Sequence, residues 1–270
     1  MVYSQYLKER YPGIDLQVED LLLLESFQIK YLPDRVPAKE FAILLQNNPI
    51  IHQFLELKYP PISGYIDSLL SQRRLIESQD NISEASQELL WEIADLIIYN
   101  KHPEVYDEKS RHAWEINDIT SITSLEGKTV VDVGAGTGRL AFLVAPFAQT
   151  VYAVEPVTGM RRFMKEKAAR KSINNLYVMD GFLDSIPFPD SSVDLLMTSN
   201  AIGWNLEDEL REIERVLRPE AHAIHFIKAD TQIENLFHDV LVSEVWNYAF
   251  VQTENAVERK TKYFKTLSRD

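Results

Sequence analysis

The sequence predicts an α/β protein: a doubly wound, largely parallel sheet preceded by a helical segment. Three observations carry that reading. Thr129–Val133 has four β-branched residues in five, too short a run for a helix and suited to a buried parallel strand. Glycines alternate at Gly134, Gly136 and Gly138, and an apolar helical pattern (Leu140, Ala141, Leu143, Val144) follows at once. Short apolar runs ending in a polar residue then recur downstream at the spacing of strand–helix–strand units.

Composition sets the outer bounds. The chain has 270 residues, 45% hydrophobic and 26% charged, which suits a globular protein with a substantial core. Met1 to Tyr11 is polar and lacks the apolar core of a secretion signal, and runs such as Leu21–Leu24 are too short to span a bilayer. A soluble, cytoplasmic protein with no membrane partner is expected. There is no cysteine, so disulfides, thiolate metal ligands and a cysteine nucleophile are excluded. The formal net charge of -13 argues against a nucleic-acid substrate, whose phosphates call for clustered Lys and Arg. The one basic cluster, Arg161-Arg162-Lys165-Lys167-Arg170-Lys171, reads as a solvated helix face.

Residues 1–108 read as a helical N-terminal domain or extension, and 109–270 as the α/β domain. Pro12, Pro33, Pro37, Pro49, Pro60-Pro61 and Pro103 separate apolar patches of helical spacing. Such faces are Phe41, Leu44 and Leu45; Tyr65, Ile66, Leu69 and Leu70; and Leu89, Leu90, Ile93, Leu96 and Ile97. A denser group follows at Tyr99, His102, Tyr106, Arg111, His112, Trp114 and Glu115. It is either a lid wall above a ligand or ordinary aromatic packing between the two parts. Its histidines have no spacing that suggests a metal site, and none is expected.

The glycine stretch is where a nucleotide-type ligand would meet the main chain, beside the free N–H groups of a helix start. A dinucleotide fingerprint would put its third glycine at Arg139, and a P-loop would need Lys-Ser/Thr after the last glycine, where Arg139-Leu140 stand. The helix from Arg139 stops near Pro146. The second strand, Val151–Val154, ends in Glu155-Pro156 about 20 residues past the first glycine, where a carboxylate suits the two ribose hydroxyls of a nucleoside. Glu155 could instead serve only as an anion at a helix N-terminus, with Thr158 as cap. The third strand is Leu176–Met179, followed by Asp180-Gly181-Phe182. The fourth runs from Asp194 to Thr198 and leads into Ser199-Asn200-Ala201-Ile202-Gly203-Trp204. Asn205 can cap a helix to about Leu217, which Arg218-Pro219 stops. The fifth strand is His222–Lys228. A helical stretch (Ile233, Leu236, Phe237, Val240) and two further strands, Trp246–Gln252 and Lys262–Leu267, close the chain.

The run Asp132-Val133-Gly134-Ala135-Gly136-Thr137-Gly138 resembles the first motif of the class I S-adenosylmethionine-dependent methyltransferases, of the small-molecule, type 11-like kind. Ile186-Pro187-Phe188-Pro189-Asp190-Ser191-Ser192-Val193-Asp194 and Leu210–Pro219 are similar to two more of its local signatures, though Glu220-Ala221 stands where the family has a glycine pair. The resemblance covers residues 110–270. It implies a Rossmann-like seven-stranded mixed sheet with an antiparallel pair at one edge, and methyl transfer from S-adenosyl-L-methionine to a small-molecule acceptor. A non-catalytic S-adenosylmethionine or S-adenosylhomocysteine binding module acting through a protein partner is the alternative. The implied cofactor residues are Asp132, Gly134, Ala135, Gly136 and Gly138; Glu155 and Pro156 at the ribose; Asp180, Gly181 and Phe182 at the adenine; and Ser199 and Asn200 at the methionine end. The absent Asn/Asp-Pro-Pro-aromatic motif counts against adenine or glutamine amino groups as acceptors. No base is assigned; His112, Tyr106 and Trp204, with Asn200, are candidates at the mouth, and of these His112 alone titrates near neutral pH.

Overall fold

Strands pair in the order β3-β2-β1-β4-β5-β7-β6, and that order decides where a ligand can sit. The computed structural model describes residues 3–71, 79–109, 114–230, 237–256 and 258–268. The strands are β1 (Thr129–Val133), β2 (Thr150–Val154), β3 (Leu176–Met179), β4 (Val193–Ser199), β5 (Leu217–Asp230), β6 (Ala249–Glu254) and β7 (Glu258–Thr266). β1 to β5 are parallel, and β7 joins β5 antiparallel with β6 beyond it. The seven-stranded mixed sheet is the one that the resemblance implies. From β1 the chain winds outward to β2 and β3, then returns to β4 and β5 on the other side. The crevice between β1 and β4 is therefore the switch point at the carboxyl ends of the strands.

β1 is buried along nearly its whole length, as a strand covered on both faces must be. Val131 and Val133 enter one apolar cluster with Leu196, Leu210 and Ile213, and Val130 enters another with Leu140, Val151 and Leu195. Each such side chain contributes roughly 1.5–3 kcal/mol when fully buried. β5 starts earlier than the sequence suggests. Its register against β4 slips between Val193 and Leu195, and Glu220 takes φ 66°, the left-handed conformation of the missing glycine. Its N–H bonds the Leu267 carbonyl at 2.9 Å, which holds it there. β6 is exposed at every residue and forms the open edge of the sheet. Of the expected helix after β5, His238–Leu241 is present, and Ile233 and Leu236 lie outside the described residues.

The chain divides into two compact units, Met1–Ser110 and Arg111–Asp270. The first is helical. Pro49 and Pro60 stand at the first turns of their helices and Pro37 just before one, where a missing N–H costs nothing. Phe41, Leu44, Leu45, Ile66, Leu89, Leu90, Ile93 and Ile97 are buried together, with Tyr65, Leu69, Leu70 and Leu96 packed partly exposed around them. Polar pairs tie the helices across this core: Arg35 to Asp95 at 2.7 Å, Gln28 to Asn100 at 2.8 Å and Lys101 to Asp20 at 2.8 Å. Among the described residues no helix is long and apolar enough to cross a membrane.

Candidate functional site

Four parallel strands present their carboxyl ends side by side, and the residues expected at the cofactor lie on or just past those tips. The glycine loop leaves β1 with Gly134 at φ 69°. The Gly134 and Ala135 N–H groups both bond the Val154 carbonyl, at 2.9 and 3.1 Å, so the loop is stitched to the end of β2. A Cβ on Gly134 would lie 2.3 Å from the Ala201 Cβ beyond β4. The glycine is thus required by the protein's own packing: two strand tips touch there. Gly138, at φ 82°, is the N-cap of the helix Arg139–Val144, and a Cβ there would meet Met164 and Phe142 at 2.9 Å.

Two buried carboxylates fasten the loop. Asp132 Oδ2 accepts the Ala141 N–H at 3.0 Å, satisfying one open donor in the first turn of the following helix. Burial pushes its pKa up to about 7; the Ala141 bond opposes that shift and the nearby Glu155 adds to it. Glu155 is 6% exposed; Oε2 accepts the Gly136 N–H at 2.8 Å and Oε1 the Val157 N–H at 2.9 Å. Burial raises its pKa as well, against the two backbone bonds and the Arg161 charge. The helix-anchoring role weighed for Glu155 is therefore present, and Thr158 does not cap: the N-cap is Val157, and the Thr158 hydroxyl accepts from Arg161. Each Glu155 oxygen still has a second lone pair to offer. Pro156, half-buried, stands between Glu155 and the Val157 N–H that bonds it.

Asp180 lies past β3 with its side chain 69% exposed, and its Oδ1 accepts from Arg161 at 3.0 Å. A Cβ on Gly181 would come within 2.8 Å of Pro187 and Val154, so the chain passes tightly there. Phe182 is 41% exposed beside it. Arg215 braces the Ile186–Asp190 run with bonds to the carbonyls of Ile186 and Phe188 and to Asp190.

At the tip of β4, Ser199 pairs in register with Phe226 of β5. Asn200 takes φ 51°, and its amide pairs with β5 on both sides: Nδ2 donates to the Lys228 carbonyl at 2.9 Å and Oδ1 accepts the Lys228 N–H at 2.8 Å. Its side chain extends the sheet, a role the sequence did not suggest. The expected cap from Asn205 is replaced too. Glu209, 2% exposed, accepts the N–H groups of Gly203, Trp204 and Asn205 at 2.7, 3.0 and 3.0 Å, while the Asn205 amide turns to Asp208. The Trp204 ring is 71% exposed. Tyr106 belongs to the first unit, edge-to-face with Tyr99 at 5.0 Å. Trp114 belongs to the second and packs on Phe226 at 4.7 Å, and His112 and Arg111 lie outside the described residues.

Residues 131–225 match the family described as a methyltransferase domain. The match spans about a third of the chain and agrees with the strand order and the loop geometry. The segment is a class I S-adenosylmethionine-dependent methyltransferase domain. The chain is similar to the uncharacterized methyltransferase YcgJ of Bacillus subtilis, 27% identical over 110 residues, 39% of this chain and 44% of that protein. A second uncharacterized methyltransferase, from Geobacillus sp. (strain WCH70), is 29% identical over 116 residues, 42% of this chain and 53% of that one. The chain spans about half the length of the curated relatives it matches. A solved SAM-dependent methyltransferase from Aquifex aeolicus aligns at a TM-score of 0.45 with 19% identity, over 62% of this chain and 91% of that one.

The residues of this methyltransferase domain fit the family's cofactor, S-adenosylmethionine. Buried carboxylate oxygens with spare lone pairs suit adjacent ribose hydroxyls. Thr137, inside the glycine loop, is 1% exposed, and among the described residues its hydroxyl has no hydrogen-bond partner. Reading the sequence missed Thr137, Arg161, Glu209 and Arg215. Arg161 in particular is no solvated face residue, with its side chain 16% exposed and bonded on both sides.

Proposed function

We propose that this chain is an S-adenosylmethionine-dependent methyltransferase acting on a small-molecule acceptor. The observation that carries it is Glu155: a buried carboxylate at the β2 tip, bonded to the glycine loop at 2.8 Å, beside the switch point of the sheet. Bound S-adenosylmethionine supplies a sulfonium-activated methyl group, so the protein's task is holding and alignment. Glu155 takes the ribose hydroxyls. Asp180 and Phe182 take the adenine edge and face. Asp132 holds the glycine loop in place from below, and the loop with Ser199 borders the methionine end. Trp204 offers an exposed aromatic surface on the loop after β4, where an acceptor can lie. The small-molecule class is supported by the net charge of -13, which disfavours a polyanionic acceptor.

Calorimetric titration with S-adenosylhomocysteine, followed by transfer from labelled S-adenosylmethionine into a metabolite extract, tests the reading. Binding with a labelled small product supports it. Binding without turnover on any acceptor points to the sensor module, and label entering only nucleic acid contradicts the acceptor class.

A further inference from the structure

Cations are disfavoured near a helix N-terminus, where the dipole and the open N–H groups already present positive charge. Arg161 nevertheless sits at the end of the first turn of the helix Thr158–Arg170 with its side chain 16% exposed. Its contacts show what holds it there. One terminal nitrogen donates to the Glu155 main-chain carbonyl at 2.7 Å and to Asp180 Oδ1 at 3.0 Å, and the other donates to the Thr158 hydroxyl at 2.9 Å. Glu155 and Asp180 stand at the ends of neighbouring parallel strands, with Val154 opposite Met179. A single guanidinium therefore joins two strand tips. Asp180 is otherwise an exposed side chain with free rotamers, and among the described residues its Oδ2 takes no hydrogen bond.

We infer that Arg161 is a positioning residue that fixes Asp180 against the β2 tip, so that Oδ2 reads an exocyclic amine on the ring of the same nucleoside whose ribose Glu155 holds. The inference rests on the methyltransferase reading and deepens it. Arg161 touches no ligand atom in this account. It acts by removing the rotamer freedom of Asp180 in advance, which lowers the cost of ordering that side chain on binding. Lysine cannot replace it, because three acceptors on two strand tips and the helix need a planar fork.

The test compares two nucleosides on the full chain by calorimetry: S-adenosylhomocysteine and S-inosylhomocysteine, which carries a carbonyl where adenine has its amine. The wild type prefers the adenosine form by about ten- to hundredfold, the range for a hydrogen bond to a charged group. Arg161→Gln and Arg161→Lys bring that preference below about a third of the wild-type ratio. In the double variant Arg161→Gln/Asp180→Asn the preference equals that of Asp180→Asn alone, because without the carboxylate there is nothing left for Arg161 to position. The lysine variant keeps the aliphatic stem and serves where the glutamine variant melts before binding. A preference within twofold of wild type in a folded Arg161 variant, or losses that simply add in the double variant, overturns the inference while leaving the methyltransferase reading intact. A wild type that binds neither nucleoside overturns both.

Discussion

The tips of β1 and β2 and the tip of β4 border one crevice but are built on different terms. At β1 and β2 the buried carboxylates of Asp132 and Glu155 hold the main chain and still keep lone pairs to offer. Beyond β4 the side chains serve the backbone in another way: Asn200 bonds both main-chain groups of Lys228, and Glu209 accepts three consecutive N–H groups. The Trp204 ring beyond β4 is exposed. One end is thus a preformed polar cradle suited to a single charged cofactor. The other is a hydrogen-bonded backbone platform carrying an aromatic surface. The difference teaches that neighbouring strand tips can be built on buried carboxylates or on backbone-pairing side chains, and that only the first is marked by the glycine motif.

The comparison predicts separable effects. The largest comes where the two ends touch. Gly134→Ala forces a Cβ to 2.3 Å from Ala201 at a positive φ, and overpacking plus backbone strain should cost about 2–4 kcal/mol. Denaturant unfolding should show that loss, and S-adenosylhomocysteine binding should fall with it. Unchanged stability would mean that the β4 tip yields freely. Next, Glu209→Ala leaves three N–H groups without their acceptor and should destabilise by roughly 2 kcal/mol. Its S-adenosylhomocysteine affinity should stay within about threefold of wild type. A larger loss of affinity would merge the two ends into one unit.

A third prediction concerns pH. Asp132 has its pKa raised by burial to about 7, so its contribution to stability is complete in acid and is lost as pH rises through about 7. Asp132→Asn removes that titration and can still accept from Ala141. The variant should therefore gain stability relative to wild type between pH 5 and pH 8, measured by denaturant unfolding at both. An equal difference at the two pH values would show that Asp132 is ionised throughout. The smallest effect on the fold is expected at Trp204, 71% exposed. Trp204→Ala should change stability by less than about 0.5 kcal/mol and spare cofactor affinity, while lowering methyl transfer once an acceptor is in hand.

How far the sequence spoke follows the same division. The β-branched run at Thr129–Val133, the glycine alternation and the acidic residue after Val154 made β1, β2 and Glu155 readable, because buried parallel strands and tight turns leave local marks. The β4 end was opaque. That Asn200 adopts φ 51° and pairs with Lys228 depends on a strand 28 positions away, and Glu209 reads as one acid among three at a helix start. Arg161 was hidden in a basic run, since its partner at Asp180 becomes a neighbour only when β3 lies beside β2. Glu220 shows the converse: the missing glycine was legible, but the backbone takes the left-handed turn all the same.

Glu155 is proposed to hold the ribose of S-adenosylmethionine beside the switch point of the sheet. The most direct measurement is calorimetric titration of S-adenosylhomocysteine into the wild type and Glu155→Ala, with NAD as the competing nucleotide. Expected are binding to the wild type, no response to NAD, and affinity lower by about one to two orders of magnitude in a folded Glu155→Ala. Tight NAD binding with no response to S-adenosylhomocysteine, or a folded variant that binds as tightly as wild type, would contradict it.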